Sequence, residues 1–433
     1  MRFNSLNAWL DWQATLNPAE IDLGLERIID VMQRMALANQ FECPLIMVAG
    51  TNGKGSTVSL LESMASSAGL KVACYTSPHI IRYNERIKIN GEEIDDDSLC
   101  QSFERIDQAR GEIALTYFEF GTLAAIDLFM RAKPDMVIME IGLGGRLDAV
   151  NVMQPDVSVI TSIAIDHIDW LGDNREDIAR EKAGIMREHK PTICGEPDVP
   201  DSLLEVAQKK STELFQLNQQ YKVESLSSDG WSLQSPFGNL QNLPRPALQG
   251  EFQLGNAATA IMSLQALKSS LAISDDQIRQ GLLNARLQGR FEMLHEQPLV
   301  ITDVAHNPQA VATLVAQCQS QAIEGSTRIV IAMLADKPVD EVLSLLSPIA
   351  DYWYSAGLED EARGLSARIM SDKIKHVLNK NESLAQSPLD VKLCPELTVK
   401  AAIDAAMRDA DPQDRIVILG SFYTVAAATH YFS

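Results

Sequence analysis

The stretch "PLIMVAGTNGKGSTVSLLE" (44–62) sets the architecture that we predict for this chain. Its apolar start is typical of a buried strand, and the apolar residues after the glycine-rich turn recur at helical spacing. A strand, a glycine-rich turn and a helix together point backbone N–H groups at an anion near the helix N-terminus. The usual loop, G-x-x-x-x-G-K-[ST], is altered here, because Gly55 follows Lys54 and Val48 takes the place of the first glycine.

A phosphate-binding loop is nevertheless the favoured interpretation of this turn. The alternative is an ordinary βα turn that happens to be rich in glycine, and it is less favoured because strand, Gly-Lys pair and helix occur together. Nothing in the chain resembles a guanine-reading motif, so we expect ATP as the nucleotide. The residues predicted to bind it in this loop are Thr51, Asn52, Gly53, Lys54, Gly55 and Ser56.

Alternating strand-like and helical segments continue along the chain. "PDMVIMEIG" (134–142) and "PDVSVITSIAI" (155–165) are typical of buried strands, and "YFEFGTLAAIDLFMRA" (117–132) is typical of a helix. Such alternation predicts a parallel sheet wrapped by helices, with functional residues at the carboxyl ends of the strands. From about 220 to 255 the composition shifts to Gly, Pro, Asn and Gln, which indicates a small hairpin followed by an irregular connection.

A second strand–loop–helix series begins at "PLVITDVAHNPQAV" (298–311), and 328–334, 351–356 and 415–421 look like its later strands. We therefore predict an α/β protein with two domains. The first, 1–292, is of the phosphate-loop ATPase type, with a parallel sheet and the small hairpin region. The second, 293–433, is a Rossmann-like α/β domain.

Amino-acid composition excludes several classes of binding partner and site. The 433 residues carry 37 Lys and Arg against 58 Asp and Glu, a formal charge of −21, which argues against nucleic acid or an anionic membrane. The start lacks the apolar core of a signal peptide, and no run approaches the roughly 18 apolar residues of a membrane span, so we expect a cytoplasmic protein. The six cysteines form no C-x-x-C pair, so neither a zinc site nor a disulfide framework is indicated. The absence of an obvious exposed apolar stripe favours a monomer.

Side chains at predicted strand ends are the candidates for a metal site. Glu140 ends an apolar strand, and carboxylate oxygens are ligands that Mg²⁺ takes. The hydroxyl missing after Lys54 could come from Ser56, or from Ser77 after the strand-like "LKVACYT". His167 follows another strand, in "SIAIDHIDWLG", and the alternative there is an exposed histidine of a capping loop.

Three basic residues are harder to interpret. Arg82 and Arg86, in "YTSPHIIRYNERI" (75–87), could receive an anionic substrate. Lys182 lies in "REDIAREKAGIMRE", and its spacing does not separate it from an ordinary solvated lysine of a helix. "GLGGRL" after Glu140 lacks the third glycine of G-x-G-x-x-G, so we discount a dinucleotide-binding motif there.

A series of motifs in one family's order resembles the folylpolyglutamate synthases, specifically the bacterial bifunctional dihydrofolate synthase/folylpolyglutamate synthases of the Mur-ligase-like superfamily. The motifs are "DLGLERI" (22–28), "GTNGKGS" (50–56), "TSPH" (76–79), "LTYFEFGT" (115–122), "EIGLGGRLDAVN" (140–151), "DHIDWLG" (166–172), "EKAGI" (181–185), "GRFE" (289–292) and "DVAHNP" (303–308). In this family the loop is G-T-N-G-K-G-[ST], so the offset is a family trait. The resemblance implies an ATP-dependent ligase that adds L-glutamate to dihydropteroate and to tetrahydrofolates through an acyl phosphate, with small molecules as its partners.

The resemblance also implies roles for individual residues. Lys54 would bind the β- and γ-phosphates, Ser77 and Glu140 would hold one Mg²⁺, and His167 with Glu140 would hold a second. Lys182 matches the family lysine that is carbamylated, a modification that turns a cation into a carboxylate-like group. An activating monovalent cation is compatible with the resemblance.

The remaining implied contacts fall into groups by substrate. The nucleotide would also contact Asn256, Arg290 and Asp303, and the glutamate to be added would contact His306 and Ser421. The pterin-bearing substrate would lie against Gly24, Leu25, Arg27, Arg82, Thr116, Phe118 and Asp148. The catalytic residues among all of these would be Lys54, His167, Lys182 and His306.

Two departures and three alternatives stay open at this point. The usual "LDATN" is "LDAVN" here, so Val150 removes a hydroxyl, and Gln253 is less securely matched than Asn256. A monofunctional folylpolyglutamate synthase is the nearest alternative. A cell-wall amino-acid ligase usually carries a UDP-sugar domain ahead of the loop, and only 49 residues precede Gly50 here. A non-catalytic nucleotide-binding module predicts damage to Lys54, Glu140 or His167, and all three are intact.

Overall fold

A computed structural model of the protein describes residues 1–17, 19, 21–227, 230–380 and 398–433. These residues divide into two units. The first comprises Met1–Leu248 and Phe252–Arg286, and the second comprises Gln249–Glu251 and Leu287–Ser433. The division falls between Arg286 and Leu287, a few residues before the sequence-based estimate of 292, and it places Arg290 in the second unit.

The first unit is built on an eight-stranded sheet with the order β4-β3-β2-β5-β1-β6-β7-β8. Its strands are β1 (Leu45–Ala49), β2 (Val72–Tyr75), β3 (Ile87–Ile89), β4 (Glu92–Glu93), β5 (Met136–Glu140), β6 (Val157–Ile160), β7 (Pro191–Cys194) and β8 (Glu213–Gln216). All pairings among β1, β2, β5, β6, β7 and β8 are parallel, and β3 and β4 add an antiparallel edge. The predicted parallel sheet is confirmed.

Ten helices within the described residues accompany these strands. They are α1 (Leu6–Leu16), α2 (Glu26–Arg34), α3 (Lys54–Ser67), α4 (Asp96–Arg110), α5 (Tyr117–Ala132), α6 (Ile168–Leu171), α7 (Arg175–Lys182), α8 (Asp201–Lys209), α9 (Phe252–Ala266) and α10 (Asp275–Asn284). Short 3₁₀ helices occupy Tyr83–Arg86, Ala149–Val152 and Ala183–Ile185. The bounds of α5 coincide with the predicted helix because Thr116 caps it with its hydroxyl and Glu119 closes the capping box.

Burial explains why β1 reads as a continuous apolar run. All five of its residues are buried, since it lies between β5 and β6 in the middle of the sheet. Its carboxyl end leads directly into the glycine-rich turn and α3, as predicted from "PLIMVAGTNGKGS". The turn therefore emerges at the centre of the carboxyl edge of the sheet, where functional groups from neighbouring strands can converge.

The region predicted as a small hairpin has three strands in the structure. These are β9 (Lys222–Ser227), β10 (Gly230–Gln234) and β11 (Leu240–Pro244), which pair antiparallel with β10 in the centre. Trp231 and Leu233 on β10 are buried, and the Trp231 indole N–H donates to Pro244 O at 2.8 Å. The polar composition of "GNLQNLP" hid the third strand, whose buried side chains are Leu240 and Leu243.

The second unit is an α/β domain with a five-stranded sheet of order β12-β13-β16-β14-β15, parallel except for the β12 edge. Its strands are β12 (Glu292–His295), β13 (Leu299–Asp303), β14 (Thr327–Ile331), β15 (Tyr352–Ser355) and β16 (Arg415–Leu419). Its helices are α11 (Pro308–Ser320), α12 (Val339–Leu346), α13 (Ala367–Lys380), α14 (Val399–Asp409) and α15 (Phe422–Phe432), with a 3₁₀ turn at Ser347–Ile349. The register pairs Asp303 with Leu419, so the loops after β13 and β16 leave the sheet side by side.

A helix must be both long and apolar to cross a membrane. None of the helices in the described ranges is both long enough and apolar enough to cross a bilayer.

Candidate functional site

The glycine-rich turn has a backbone that only glycine adopts easily. Gly53 precedes α3 with a φ of 85°, in the left-handed region, and Gly50 has a φ of 151°. A Cβ on Gly50 would lie 1.9 Å from Thr161 Oγ1, and one on Gly53 would lie 2.7 Å from Asn256 Oδ1. These glycines therefore let the loop approach its neighbours closely, and they place Asn256 of α9 beside the start of α3.

The side chains of the loop extend this arrangement. Lys54 Nζ donates to Gly50 O at 3.1 Å and to Thr51 O at 3.3 Å, so the lysine lies over its own loop. Ser56 is buried, and its hydroxyl accepts a hydrogen bond from Gln253 Nε2 at 3.3 Å. Gln253 Oε1 in turn accepts from Asn256 Nδ2 at 2.9 Å. The residues predicted to bind ATP from the loop and from α9 are thus neighbours.

Glu140 and Ser77 meet at the ends of two paired strands. Parallel pairing of β2 with β5 sets Tyr75 beside Met139, and the Ser77 amide donates to Glu140 Oε2 at 3.3 Å. Glu140 is only 4% exposed. A buried carboxylate beside a hydroxyl is a donor set suited to a hard divalent cation. Among the described residues no group of three or more His, Cys, Asp or Glu forms a metal cage, so such an ion would take further oxygens from phosphate and water, as Mg²⁺ commonly does.

His167 leaves the same sheet edge on the other side of the loop. It follows β6, which adjoins β1 opposite β5, and it starts the short helix α6 with a left-handed φ of 54°. Its amide donates to Asp166 Oδ1 at 2.8 Å. The strand order therefore places Glu140, the phosphate loop and His167 in sequence along one edge.

Lys182 is the most strongly perturbed cation of this unit. It is only 3% exposed at the end of α7. Burial, with the positive charge of Lys54 as the second cause, lowers the pKa of Lys182 to about 7, although Asp166 and Asp148 act in the opposite direction. Lys182 is thus electrostatically coupled to the phosphate loop, which its helical spacing did not reveal.

The position of Lys182 is fixed by close backbone packing. A Cβ on Gly145 would lie 2.8 Å from Glu181 O, and one on Gly184 would lie 2.4 Å from Arg146 Cα. The Arg146 amide donates to Glu181 O at 2.8 Å. The "GLGGR" loop and the end of α7 therefore touch backbone to backbone.

The loop after Glu140 is organised by Asp148, a predicted pterin-binding residue. Its buried carboxylate accepts from the amides of Leu143 at 2.8 Å and Val150 at 2.9 Å. Burial raises the pKa of Asp148 to about 7 against these hydrogen bonds. Val150, the departure from the family motif, is itself fully buried in the apolar core, where a methyl group packs without needing a partner.

The other predicted pterin contacts divide into one cluster and one outlier. Arg27 of α2, which follows Gly24 and Leu25 at the start of the helix, donates to Glu119 Oε1 at 3.1 Å, and Glu119 also accepts from the Thr116 amide at 2.7 Å. The ring of Phe118 covers Gly142, where a Cβ would lie 2.5 Å from Cζ. Arg82, in contrast, is exposed and lies 3.8 Å from Glu93 and 3.7 Å from Asp96.

Arg86 and Glu85, rather than Arg82, organise the segment that carries Ser77. Arg86 is buried, its Nε donates to His79 Nδ1 at 2.8 Å, and its guanidinium lies 5.2 Å from the Tyr83 ring centroid. Burial and the Arg86 charge lower the pKa of His79 to about 4. Glu85 accepts from the amides of Ile80 and Ile81, each at 2.7 Å. The sequence named Arg86 as a candidate cation but gave no signal for this internal role.

The second unit gathers its predicted residues at the ends of β13 and β16. Asp303 accepts from the amides of Phe291 and Ala305, each at 2.8 Å, while burial raises its pKa and Arg290 opposes that rise. The guanidinium of Arg290 lies 5.5 Å from the centroid of the Phe422 ring.

His306 and Ser421 flank the same ring. The His306 ring lies 6.5 Å from that of Phe422, and its Nδ1 is 2.8 Å from Val304 O. Ser421 is buried and caps α15, accepting from the Thr424 amide at 3.1 Å. All four predicted residues of this unit are therefore brought to one strand edge.

Family models match most of the chain. The Mur ligase middle domain matches residues 48–264, and the Mur ligase glutamate ligase domain matches residues 289–422.

Individual proteins are similar over almost their full lengths. The dihydrofolate synthase/folylpolyglutamate synthase of Escherichia coli K12 is 43% identical over 97% of this chain and 94% of its own. The structure of E. coli FolC with DHPP and ADP superposes with a TM-score of 0.90 at 42% identity, covering 99% of this chain and 97% of that one. A bifunctional folylpolyglutamate synthase/dihydrofolate synthase with Mn, AMPPNP and L-glutamate bound gives a TM-score of 0.85 at 44% identity, covering 99% and 98%.

Proposed function

The chain belongs to the dihydrofolate synthase/folylpolyglutamate synthase family of Mur-type ligases, and we propose that it joins L-glutamate to dihydropteroate and to tetrahydrofolates at the expense of ATP. The observation that carries the proposal is that similarity to bifunctional relatives runs through both units, including the phosphate loop and its coupled lysine. Small molecules are the partners in this proposal, and the chain acts as a monomer.

Two chemical steps account for the reaction. A carboxylate is a poor acylating agent, because its oxygen is a poor leaving group. The acceptor carboxylate therefore attacks the γ-phosphorus of ATP, releasing ADP and forming an acyl phosphate. The α-amine of glutamate then attacks the acyl carbon, inorganic phosphate departs and the amine loses a proton. Phosphoryl transfer of this kind depends mainly on positioning and charge stabilisation.

In this proposal Lys54 neutralises charge on the β- and γ-phosphates. Its ammonium already hydrogen-bonds to carbonyls of the loop, so a modest rotation would turn it towards phosphate oxygens. Amides at the start of α3 add the favourable end of a helix dipole. Asn256, which lies against Gly53, completes the nucleotide contacts proposed for the first unit.

Ser77, Glu140 and His167 are proposed to hold divalent cation. A relative binds Mn, and Mg²⁺ with two ions per site is our proposal for this chain. The cation supplies neutralisation of developing phosphate charge when bound. The support is the buried Glu140 carboxylate, its contact with Ser77, and the position of His167 on the same strand edge. An activating monovalent cation is also part of the proposal, without residues assigned to it.

Carbamylation of Lys182 is part of the proposal. A neutral amine attacks CO₂, forming a C–N bond and releasing a proton, and the resulting carbamate is anionic. With a pKa of about 7, about half of the Lys182 side chains are neutral at pH 7, against roughly one in a few thousand for an ordinary lysine. The carbamate would also replace repulsion from Lys54 by attraction.

Residues of the second unit are proposed to contact nucleotide and glutamate. Arg290 and Asp303 are the nucleotide candidates, and His306 and Ser421 are the candidates for the incoming amino acid. A relative binds L-glutamate together with AMPPNP and Mn. Their supporting feature is that β13 and β16 are adjacent, so all four side chains share one edge of their sheet.

The test is ADP formation with Mg²⁺-ATP and L-glutamate, comparing dihydropteroate with tetrahydrofolate as acceptor. Turnover with both acceptors is the expected result. Turnover with tetrahydrofolate alone would leave the monofunctional alternative, a folylpolyglutamate synthase. No turnover with either acceptor, in protein that binds ATP, would reject the folate assignment and return the cell-wall ligases and the non-catalytic module to consideration.

A further inference from the structure

The phosphate loop is held from outside by the chain that leaves β6. The amide of Thr51 donates to Ser162 O at 2.8 Å. The side-chain hydroxyl of Thr51 donates to Ala164 O at 3.0 Å and accepts from the Ala164 amide at 3.1 Å. The segment 161–164 therefore runs alongside the loop as a bracing segment.

Asn52 is held at both of its backbone groups. Its amide donates to Ser162 Oγ at 2.9 Å, and its carbonyl accepts from Ser162 Oγ at 3.0 Å and from Thr161 Oγ1 at 2.6 Å. A carbonyl is repelled by phosphate oxygens, whereas the amides that follow it attract them. By holding the Asn52 carbonyl, the two hydroxyls fix the peptide plane that leads into Gly53 and α3.

Thr161 also fixes the path of the loop by its shape. Its hydroxyl occupies the space that a Cβ on Gly50 would need, at 1.9 Å, and it is only 4% exposed. Loop and bracing segment are therefore fitted to each other at both ends of "GTN".

We propose that Thr161 and Ser162 are positioning residues for the nucleotide, acting through the backbone of Thr51 and Asn52. The inference rests on the proposed function, in which this loop receives the phosphates of ATP. Neither residue is part of the loop motif itself. Their hydroxyls set the loop in its binding shape before ATP arrives, so their loss weakens nucleotide binding without touching the acceptor.

If Thr161 and Ser162 served only to stabilise the fold, removing any comparable buried hydrogen bond would have the same effect on ADP affinity. The strand that precedes the bracing segment, β6, offers a matched control. Ser158 on β6 is also buried, and its hydroxyl donates to a backbone carbonyl, Ile185 O, at 2.8 Å. It lies at the opposite part of the strand from the loop. Ser158→Ala therefore removes a comparable hydrogen bond from the core and leaves the loop braced.

The experiment compares Thr161→Val, Ser162→Ala and Ser158→Ala in the full-length protein. ADP affinity is measured by calorimetry, and KM is measured for ATP and for the pterin acceptor. We expect both bracing variants to weaken ADP binding and raise the KM for ATP about tenfold, the equivalent of one or two hydrogen bonds, with the acceptor KM within about twofold. Ser158→Ala should leave all three constants within about twofold of wild type.

A conservative variant distinguishes the contribution of the Thr161 hydroxyl from that of its side-chain volume. Thr161→Ser keeps the hydroxyl and should restore ADP affinity to within about threefold of wild type, whereas Thr161→Val keeps the volume and should not. If thermal melts show that Thr161→Val fails to fold, Thr161→Ser and Ser162→Ala carry the comparison.

Two results would overturn the inference. One is unchanged ADP affinity in folded Ser162→Ala and Thr161→Val. The other is an equal loss in Ser158→Ala, which would mean that any buried hydroxyl of β6 has the same effect. ADP binding does not require turnover. If wild-type protein binds ADP but makes no product, the proposed folate function is rejected, and the ADP affinities of the variants still decide whether Thr161 and Ser162 brace the loop.

Discussion

The carboxyl edges of the two sheets share an architecture and differ in their electrostatics. In the first unit, burial moves the pKa of Lys182 down to about 7 and that of Asp148 up to about 7. In the second unit, Asp303 keeps two backbone amide donors and the charge of Arg290. Both edges bury a carboxylate with two backbone amide donors and a raised pKa. The first edge also buries a lysine whose pKa is lowered to about 7, whereas at the second edge the charge of Arg290 opposes the rise in the pKa of Asp303.

The two edges are therefore expected to respond differently to substitution. At the first edge a substitution of Lys182 removes a buried charge, so it changes chemistry with little change of shape. At the second edge Asp303 also tethers the backbone before and after it, so a change there alters the shape of the loops. Substitutions at both edges test that contrast.

Lys54→Met should have the largest effect. Removing the mobile cation from the phosphate loop should lower the rate of ADP formation by about 100- to 1000-fold, the cost typical of losing one preorganised group that stabilises transferring charge. The melting temperature of Lys54→Met should stay near that of wild type, since the Lys54 ammonium donates to carbonyls of its own loop and its charge repels that of the buried Lys182. Loss of activity through unfolding, seen as a lowered melting temperature, would contradict this reading.

Lys182→Met should lower activity by about 100-fold and change how stability depends on pH. The pKa of Lys182 is about 7 in the folded protein, below its unfolded value of about 10.4, so the unfolded state binds more protons between those values. The free energy of unfolding of wild type should therefore rise relative to the variant from pH 7 to 9, by up to about 1.4 kcal/mol per pH unit. Below pH 7 the two curves should run parallel.

The measurement is urea denaturation in CO₂-free buffer with a chelator, which keeps Lys182 unmodified. Lys209→Met, on the exposed face of α8, is the matched control and should follow the wild-type curve. A wild-type curve parallel to that of Lys182→Met between pH 7 and 9 would show that Lys182 titrates normally and would remove the physical support for carbamylation.

Arg290→Gln and Asp303→Asn should have intermediate effects. Each should raise the KM for ATP by about tenfold, and the double variant should cost less than the product of the two, because the charges interact. Steady-state kinetics of the four proteins gives the coupling. If the rise in KM of the double variant equals the product of the two single effects, Arg290 and Asp303 act independently and the expected coupling is absent.

Arg82→Gln should have the smallest effect, although the sequence placed Arg82 at the pterin. It is exposed and lies 3.7 Å and 3.8 Å from its acidic partners, and such surface pairs contribute little. We expect all KM values within about twofold of wild type. Arg27→Gln, which breaks the link to Glu119, should raise the KM for dihydropteroate about tenfold and serves as the comparison. A large rise in the KM for dihydropteroate in Arg82→Gln would support the predicted contact of Arg82 with the pterin-bearing substrate.

Much of the fold was readable because it depends on local signals. Apolar runs with glycine-rich turns located β1, β5 and α3, and the capping box at Thr116 and Glu119 marked where α5 begins. The third strand of the small sheet was missed because its composition is polar, and only Leu240 and Leu243 of its side chains are buried.

The sequence predicted the site residues from a pattern only where those residues are consecutive in the chain. The loop 51–56 carries its own pattern, whereas the depressed pKa of Lys182 arises from burial and from Lys54, far away in sequence. Likewise, the sequence does not distinguish Arg82 from Arg86. The structure does, because Arg82 is exposed whereas Arg86 is buried and donates to His79. Resemblance to a family supplied Lys182, and its chemistry could not be worked out from spacing.

Gly145 and Gly184, which lie beside Lys182, restrict which substitutions the enzyme can accept during evolution. Gly145 and Gly184 each face a different stretch of backbone, so a larger residue at one is not accommodated by any change at the other. A side chain at either glycine would meet backbone atoms within 2.8 Å, so either substitution alone would push the end of α7 away from the loop. The position of the Lys182 backbone therefore depends on the absence of a side chain at two separate places.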